Sequence, residues 1–408
     1  QLTHALFPGT HCPLMGAAMA VGGIKDSLIV VVGTDECTYY TKSMTIHSEK
    51  FGGIGGRCVS VVLDDHDVTF GSAEKVQEAF KEIIEEYRPQ CVFLVTTCVI
   101  EIIGDDFDAI SEGLSELYGI PVLPVHTEHF KCEDHLPGLE RTITVCAEMM
   151  KSCDCDNSVN LLGQRMGDFA TTELYAMLQK AGVKIGLQLP CGCSVDDIKN
   201  AAAAKVNIVV NDIALPLAQK MQEKFGIPYV YFNKFVIPEK IYEAYKNLFG
   251  YLELELPEEL EGLYQNAREE IEKTKCELEG ITYIYGNTPY AVFEMNCFLS
   301  SLGMVPQVIQ TNRYTEADEP YAKEILQYTD PYVCKAANIA PLQYVYDVLS
   351  PYLYLGHEFG NRLRQKGIAI VHSDRASGML GFEVTGYLLQ QLVKSVREAK
   401  EYRKELCL

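Results

Sequence analysis

Thiols, imidazoles and carboxylates carry most enzyme chemistry, and in this sequence they gather behind short apolar runs. Cys37 lies in Gly33-Thr34-Asp35-Glu36-Cys37 after the run 28–32, and Cys98 closes Thr96-Thr97-Cys98 after the run 91–95. Cys12 precedes Pro13, which suits the first turn of a helix through Leu14-Met15-Gly16-Ala17. Its thiol is expected at that helix N-terminus, where the dipole favours a thiolate. If the two runs are strands, three thiols meet at the mouth of one sheet. Three thiolates are an incomplete set for an iron–sulfur cluster, which usually takes four protein ligands. The fourth could be another residue of this chain, a water or substrate, or the same patch on a second subunit. The plain alternative is that all three are small buried hydrophobes.

The remaining sulfur is less directed. Cys153-x-Cys155 and Cys191-x-Cys193 lack the C-x-x-C spacing of structural zinc. Cys58, Cys91, Cys132, Cys146, Cys276, Cys297 and Cys334 read as packing, and Cys407 as a terminal thiol. Fifteen cysteines in all is an odd number, which cannot pair completely, so reduced thiols are expected. No Gly-x-x-x-x-Gly-Lys-Ser/Thr occurs, so ATP hydrolysis through a P-loop is not expected. Gly52-Gly53-Ile54-Gly55-Gly56 precedes a strand rather than following one and reads as a mobile loop.

Positioning these groups requires strands that end where chemistry begins. Twelve β-branched apolar runs alternate with helical stretches: 28–32, 59–63, 91–95, 122–125, 159–162, 184–187, 206–210, 229–231, 281–285, 305–309, 352–355 and 368–371. Such alternation indicates parallel sheets of βαβ units, and twelve strands are too many for one of them. The fold class expected is α/β, with three Rossmann-like domains, each a mostly parallel sheet flanked by helices. The polar stretch 151–157 and the acidic helix 257–279 divide the chain into 1–157, 158–280 and 281–389, followed by a charged amphipathic helix over 390–408.

Composition narrows the partners. The 408 residues include 35 Lys and Arg against 56 Asp and Glu, a formal charge of −21 that repels a phosphate backbone and excludes nucleic acid. No apolar run approaches the ~20 residues that span a bilayer, and no basic segment precedes an apolar one, so a cytoplasmic protein without a membrane is expected.

Taken in order, Cys12-Pro13 with Gly16-Ala17, Gly33-x-x-x-Cys37-x-x-Tyr40, and Thr96-Thr97-Cys98-x-x-Glu101-Ile102-Ile103-Gly104-Asp105-Asp106 resemble the nitrogenase component 1 superfamily. That superfamily holds the molybdenum–iron protein subunits, the cofactor scaffold pair and the subunits of dark-operative protochlorophyllide reductase. Gly167-Asp168, Asp196-Asp197-Ile198, Met221 to Pro228 and His372-Ser373 with Gly381-Phe382-Glu383 extend the likeness over nearly the whole chain. The cysteine separations of 25 and 61 residues are similar to the family's. The resemblance implies that Cys12, Cys37 and Cys98 hold a [4Fe–4S] or P-cluster-like iron–sulfur cluster at an interface with a homologous or identical component 1 subunit. It also implies an iron-protein-like ATPase reductase as electron donor. The family's catalytic subunit binds a second, larger metallocofactor through one Cys and one His; here Val210 stands at about the Cys position, and His372 matches the His.

The resemblance further implies a cleft where strand ends of the three domains converge. Its candidate lining groups are His126, Glu128, His129, Asn211, Asp212, Asn287, His357, Glu358, His372 and Ser373. His372, with His357 and Glu358 nearby, is expected to donate protons or hydrogen bonds to a small-molecule substrate. His4, His47, His66 and His135 are expected at the surface. The function this implies is a nitrogenase-like oxidoreductase subunit relaying electrons from the iron protein to a substrate in that cleft. A non-catalytic scaffold for assembling a nitrogenase-type cofactor would use the same cysteines. A nucleotide-sugar transferase could share the sheets but needs no strand-end cysteine.

Overall fold

The structure, a computed structural model, describes residues 11–46, 54–132, 134–165, 167–311, 313–334 and 339–407. All twelve expected strands are present, with ends shifted by at most three residues. In chain order the strands are β1 (Ile24–Lys25), β2 (Ser27–Gly33), β3 (Cys58–Val62), β4 (Cys91–Thr96), β5 (Val122–Val125), β6 (Val159–Gln164), β7 (Ile185–Pro190), β8 (Cys193–Ser194), β9 (Val206–Val209), β10 (Tyr229–Tyr231), β11 (Thr282–Tyr285), β12 (Val305–Gln310), β13 (Tyr332–Cys334), β14 (Leu353–Leu355) and β15 (Ala369–Val371). The short β1, β8 and β13 were not expected; two-residue pairings and an edge strand with two exposed residues carry too little apolar pattern to register.

Three parallel sheets result, ordered β3-β2-β4-β5, β10-β9-β6-β7 and β13-β12-β11-β14-β15. Every residue of β2, β4 and β6 is buried, which is why these strands read as unbroken apolar runs rather than alternating ones. In each sheet the chain order reverses once: between β2 and β4, between β6 and β9, and between β11 and β14. Outside the carboxyl ends at such reversals a crevice opens in which ligands sit.

The first two sheets are not separated by solvent. One hydrophobic cluster runs from Leu14 and Ala17 through Val31 and Val95 to Leu187, Val209 and Ile227. β1 pairs with β8 across this junction. The stretch 151–157 is exposed throughout, as its polarity implied. The C-terminal helix spans Glu383–Glu405 and so begins at Glu383 rather than at 390. Its N-terminal end is tied to the second sheet's helices by a reciprocal brace: Glu173 accepts from the Phe382 and Glu383 N–H groups at 3.0 and 3.2 Å, while Glu383 accepts from the Glu173 N–H at 3.1 Å. The family-like Gly-Phe-Glu segment therefore has a structural task.

Candidate functional site

Cys37 and Cys98 flank the reversal point of the first sheet. Cys37 sits in the first turn of the helix Asp35–Ile46, which follows β2, and Cys98 opens the helix Cys98–Ile103, which follows β4 directly. Cys12 is the N-cap of the helix Pro13–Gly22, with Pro13 at its first position. All three thiols are half-buried and free of disulfides. Burial, and then the neighbouring Cys37, push the Cys98 thiol up, against the pull of backbone hydrogen bonds from Val99 and Cys98. A cationic metal would reverse the first two effects, since it stabilises the thiolates that repel one another without it.

Two glycines set the position of Cys12. A Cβ on Gly138 would lie 1.8 Å from the Pro13 carbonyl oxygen, and one on Gly16 would lie 1.9 Å from that of His135. The helices Pro13–Gly22 and Leu136–Val145 thus touch backbone to backbone, which only Gly permits. At the other side of the mouth, Glu101 fastens the loop after β5. Its carboxylate accepts from the Thr127 hydroxyl at 2.8 Å, the Thr96 hydroxyl at 3.2 Å and the His129 N–H at 3.0 Å, and also from the Glu128 N–H. The rest of the Gly-Asp-Asp segment is scaffolding. Gly104 ends the helix in the left-handed conformation, Asp105 accepts from the Ser72 N–H at 2.7 Å, and Asp106 caps the next helix through the Ala109 N–H at 3.0 Å.

The donor set suits a cluster better than a single ion. Tetrahedral bonds of about 2.3 Å would hold thiolates about 3.8 Å apart. Among the described residues, however, the group with ligand atoms all within 4.8 Å of one another is Asp64, His66 and Asp67. Their carboxylates are engaged in a helix capping box and with Lys75, at 3.0 Å from Asp64 and 2.6 Å from Asp67. Cys12, Cys37 and Cys98 are half-buried and do not form such a group, so their chemistry would suit an iron–sulfur cluster, with its remaining ligand from outside the set, better than one ion. The larger cofactor finds no such fit. Val210 is fully buried in an apolar cluster, so its place offers no ligand.

The cleft residues divide differently from expectation. His357 and Glu358 follow β14 at the third sheet's reversal point, where a Cβ on Gly356 would lie 2.8 Å from the Asn287 backbone N. His372 follows β15, the edge strand, and is exposed, with its carbonyl accepting from the Tyr387 hydroxyl at 3.2 Å. His357 pairs with Asp374 at 3.3 Å, with side chains 66% and 59% exposed, a contact worth little in water. Glu358 accepts from the Tyr346 hydroxyl at 3.2 Å. His126 pairs with Asp108 at 3.1 Å and Glu128 pairs with Arg141 and Lys131; both line a cavity of about 380 Å³ beside Thr96 and Glu101. Asn211 caps a turn through the Ile213 N–H, Asp212 accepts from the Tyr231 hydroxyl, and Ser373 is buried.

Other expectations need correction. His135 is half-buried rather than exposed: burial and then the charge of Arg165 bring its pKa down to about 4, and its ring lies 6.4 Å from that of His11. Cys276 is exposed rather than packed, because it lies on the solvated face of the acidic helix Glu259–Leu278. Gly52 and Gly53 lie outside the described residues, as do His4 and His47, and Gly55–Arg57 is a short 3-10 helix. Cys191 donates to the Arg165 carbonyl at 3.0 Å and Cys193 is buried, whereas Cys153 and Cys155 are exposed.

Three parallel sheets with thiols flanking the reversal of the first define an α/β protein with a thiol-bearing sheet mouth. The chain belongs to the nitrogenase component 1 type oxidoreductase family, whose profile matches residues 12–397. It is 31% identical over 224 residues to the nitrogenase iron–molybdenum cofactor biosynthesis protein NifE of Clostridium pasteurianum, covering 54% of this chain and 49% of that protein. It is 24% identical over 330 residues to the NifE of Rippkaea orientalis, covering 77% and 69%. With the nitrogenase molybdenum–iron protein alpha chain of Methanosarcina barkeri it shares 25% over 309 residues, covering 72% and 58%. The first of these matches therefore spans about half of its relative. The solved structure "Nitrogenase Cp1 at pH 6.5" superposes with a TM-score of 0.82 at 15% identity, covering 98% of this chain and 95% of that one, a likeness of fold. Among the described residues no helix is long and apolar enough to cross a membrane.

Proposed function

We propose that this chain is the cluster-bearing subunit of a nitrogenase-like reductase. What supports the reading is that Cys12, Cys37 and Cys98 each stand at a helix start, and that the helices of Cys37 and Cys98 follow the two strands between which the first sheet reverses. Bound there, an iron–sulfur cluster supplies single-electron reduction. The chain's own residues hold the thiolates in register: Gly16 and Gly138 let the Cys12 helix settle, and Glu101 fixes the loop beside Cys98. A second component 1 subunit covers the half-buried thiols and completes the ligand set. Without a P-loop, ATP energy comes from a separate iron-protein-like ATPase. Substrate binds at the junction of the three sheets, with His372, His357 and Glu358 as proton-handling candidates at the third sheet's rim.

Likeness to NifE favours a second reading, a scaffold on which a metal cofactor is assembled. The apolar burial of Val210 weighs against cofactor binding through a thiolate at that place. Iron and acid-labile sulfide in anaerobically purified protein test the first reading, with electron paramagnetic resonance after reduction. Protein lacking both would overturn it, as would ATP hydrolysis by the isolated chain for the partner assignment.

A further inference from the structure

Cys37 stands in a short frame that fixes what its sulfur meets. The segment Thr34-Asp35-Glu36-Cys37-Thr38 leaves β2 at Gly33 and enters the helix Asp35–Ile46. At its near end the Thr97 hydroxyl donates to the Val32 carbonyl at 2.9 Å, and the Thr97 side chain lies over Gly33 so closely that a Cβ there would stand 2.1 Å from its Oγ1. The Leu63 N–H donates to the Gly33 carbonyl at 3.0 Å. At its far end the buried Thr38 accepts from the hydroxyl of Ser60, on β3, at 2.8 Å. Both ends of the segment are thus tied to neighbouring strands.

Within that frame the Thr34 hydroxyl donates to the Cys37 sulfur at 3.6 Å, and both residues are half-buried. The exposed Glu36 carboxylate also reaches this hydroxyl, but water can solvate it from all sides, whereas the half-buried sulfur has fewer other donors. Cys98 is served differently, by the main-chain N–H groups of Val99 and of Cys98 itself. No substitution removes those. The donor to Cys37 is a side chain, so it is the one that the sequence can set.

Hydrogen bonds to the sulfurs of an iron–sulfur cluster are among the terms that set its reduction potential, because they draw electron density away and favour the reduced, more negative state. A thiol that ligates iron has lost its own proton, which leaves the sulfur an acceptor only. We infer that Thr34 is a positioning residue that donates its hydroxyl proton to the Cys37 thiolate and thereby raises the reduction potential of the cluster held there. The inference rests on the proposed function and deepens it, since it names a residue through which the chain sets the driving force for electron transfer at that site.

The test is a potentiometric titration of the iron-loaded protein followed by electron paramagnetic resonance, with iron and acid-labile sulfide measured on the same samples so that the cluster reading is judged apart. Thr34→Val keeps the shape of the side chain and loses the donor, whereas Thr34→Ser keeps the donor. At a fixed potential near the parent midpoint, Thr34→Val should show a reduced-to-oxidised ratio about tenfold lower, which for a one-electron couple is a midpoint about 59 mV more negative. Iron per chain should be unchanged, and Thr34→Ser should titrate with the parent. An unchanged midpoint in Thr34→Val, Thr34→Ser shifted as far as Thr34→Val, or iron lost from Thr34→Val while the parent keeps it would overturn the assignment. A parent without iron and sulfide would overturn the proposed function, and this inference with it.

Discussion

The mouths of the first and third sheets are built alike and equipped differently. Both sheets reverse once, between β2 and β4 and between β11 and β14. At the first reversal the following segments bring half-buried Cys37 and Cys98. At the third they bring Asn287 and His357, both exposed, while His372 lies one strand further out. A strand end is therefore not sufficient to make a site. The pair of strands around which the order reverses decides which ends share a crevice.

Substitutions can break that comparison. The largest expected effect is at the first mouth: Cys98→Ala, Cys37→Ala or Cys12→Ala should each remove most of the bound iron. Cys132→Ala, a half-buried thiol whose Sγ lies 3.6 Å from the Thr127 carbonyl oxygen, should leave it. Full iron in all three variants would erase the distinction between the mouths. Next is Gly138→Ala, whose Cβ would meet the Pro13 carbonyl at 1.8 Å. Overpacking of this kind costs about 1–3 kcal/mol, and the helix that carries Cys12 must shift. Denaturant midpoint and iron content should fall together.

A third test concerns His135, the half-buried residue that precedes the helix Leu136–Val145. Its folded pKa of about 4, against 6.5 for the ordinary imidazole, means that the unfolded chain binds the proton more tightly. Its contribution is then present above pH 6.5 and is lost as pH falls through 6.5 toward 4. Between pH 7 and pH 5 the parent should lose about 2 kcal/mol more unfolding free energy than His135→Asn. Equal losses would show that the imidazole is not desolvated. The smallest effect is at the third mouth. His372→Ala and His357→Ala should leave iron per chain unchanged, and a drop in either would restore the third sheet as a metal site.

Much of this was legible beforehand for one physical reason: strands buried on both faces are written as continuous apolar runs, so the twelve longer strands and the residues behind them could be located. The same rule came close to Arg165, whose charge acts on His135 and on Lys234. The run 159–162 was expected to end two residues early, because Gly163 and Gln164 look like a strand end; in the sheet they are its last buried residues, and Arg165 is the first beyond them. Lys234 is concealed differently, inside the largely apolar stretch Tyr231-Phe232-Asn233-Lys234-Phe235-Val236. His135 was misplaced because polarity was taken for exposure, whereas the close helix crossing at Gly16 and Gly138 brings the neighbouring helix against it.

The sequence by itself determined the class of fold and the family, and it put three thiols forward as candidate ligands, since each rests on local pattern: burial on both faces of a strand, proline at a helix start, cysteine at fixed separations. Tertiary structure alone decided which strand ends share a crevice, that Val210 is sealed in the core, and that the charge of Arg165 bears on Lys234, far from it in the chain. Those properties depend on contacts between residues far apart in the chain, such as Arg313 with Asp134 and Gly167 with Gly378, and strand order and desolvation are set by such contacts rather than by neighbours in sequence.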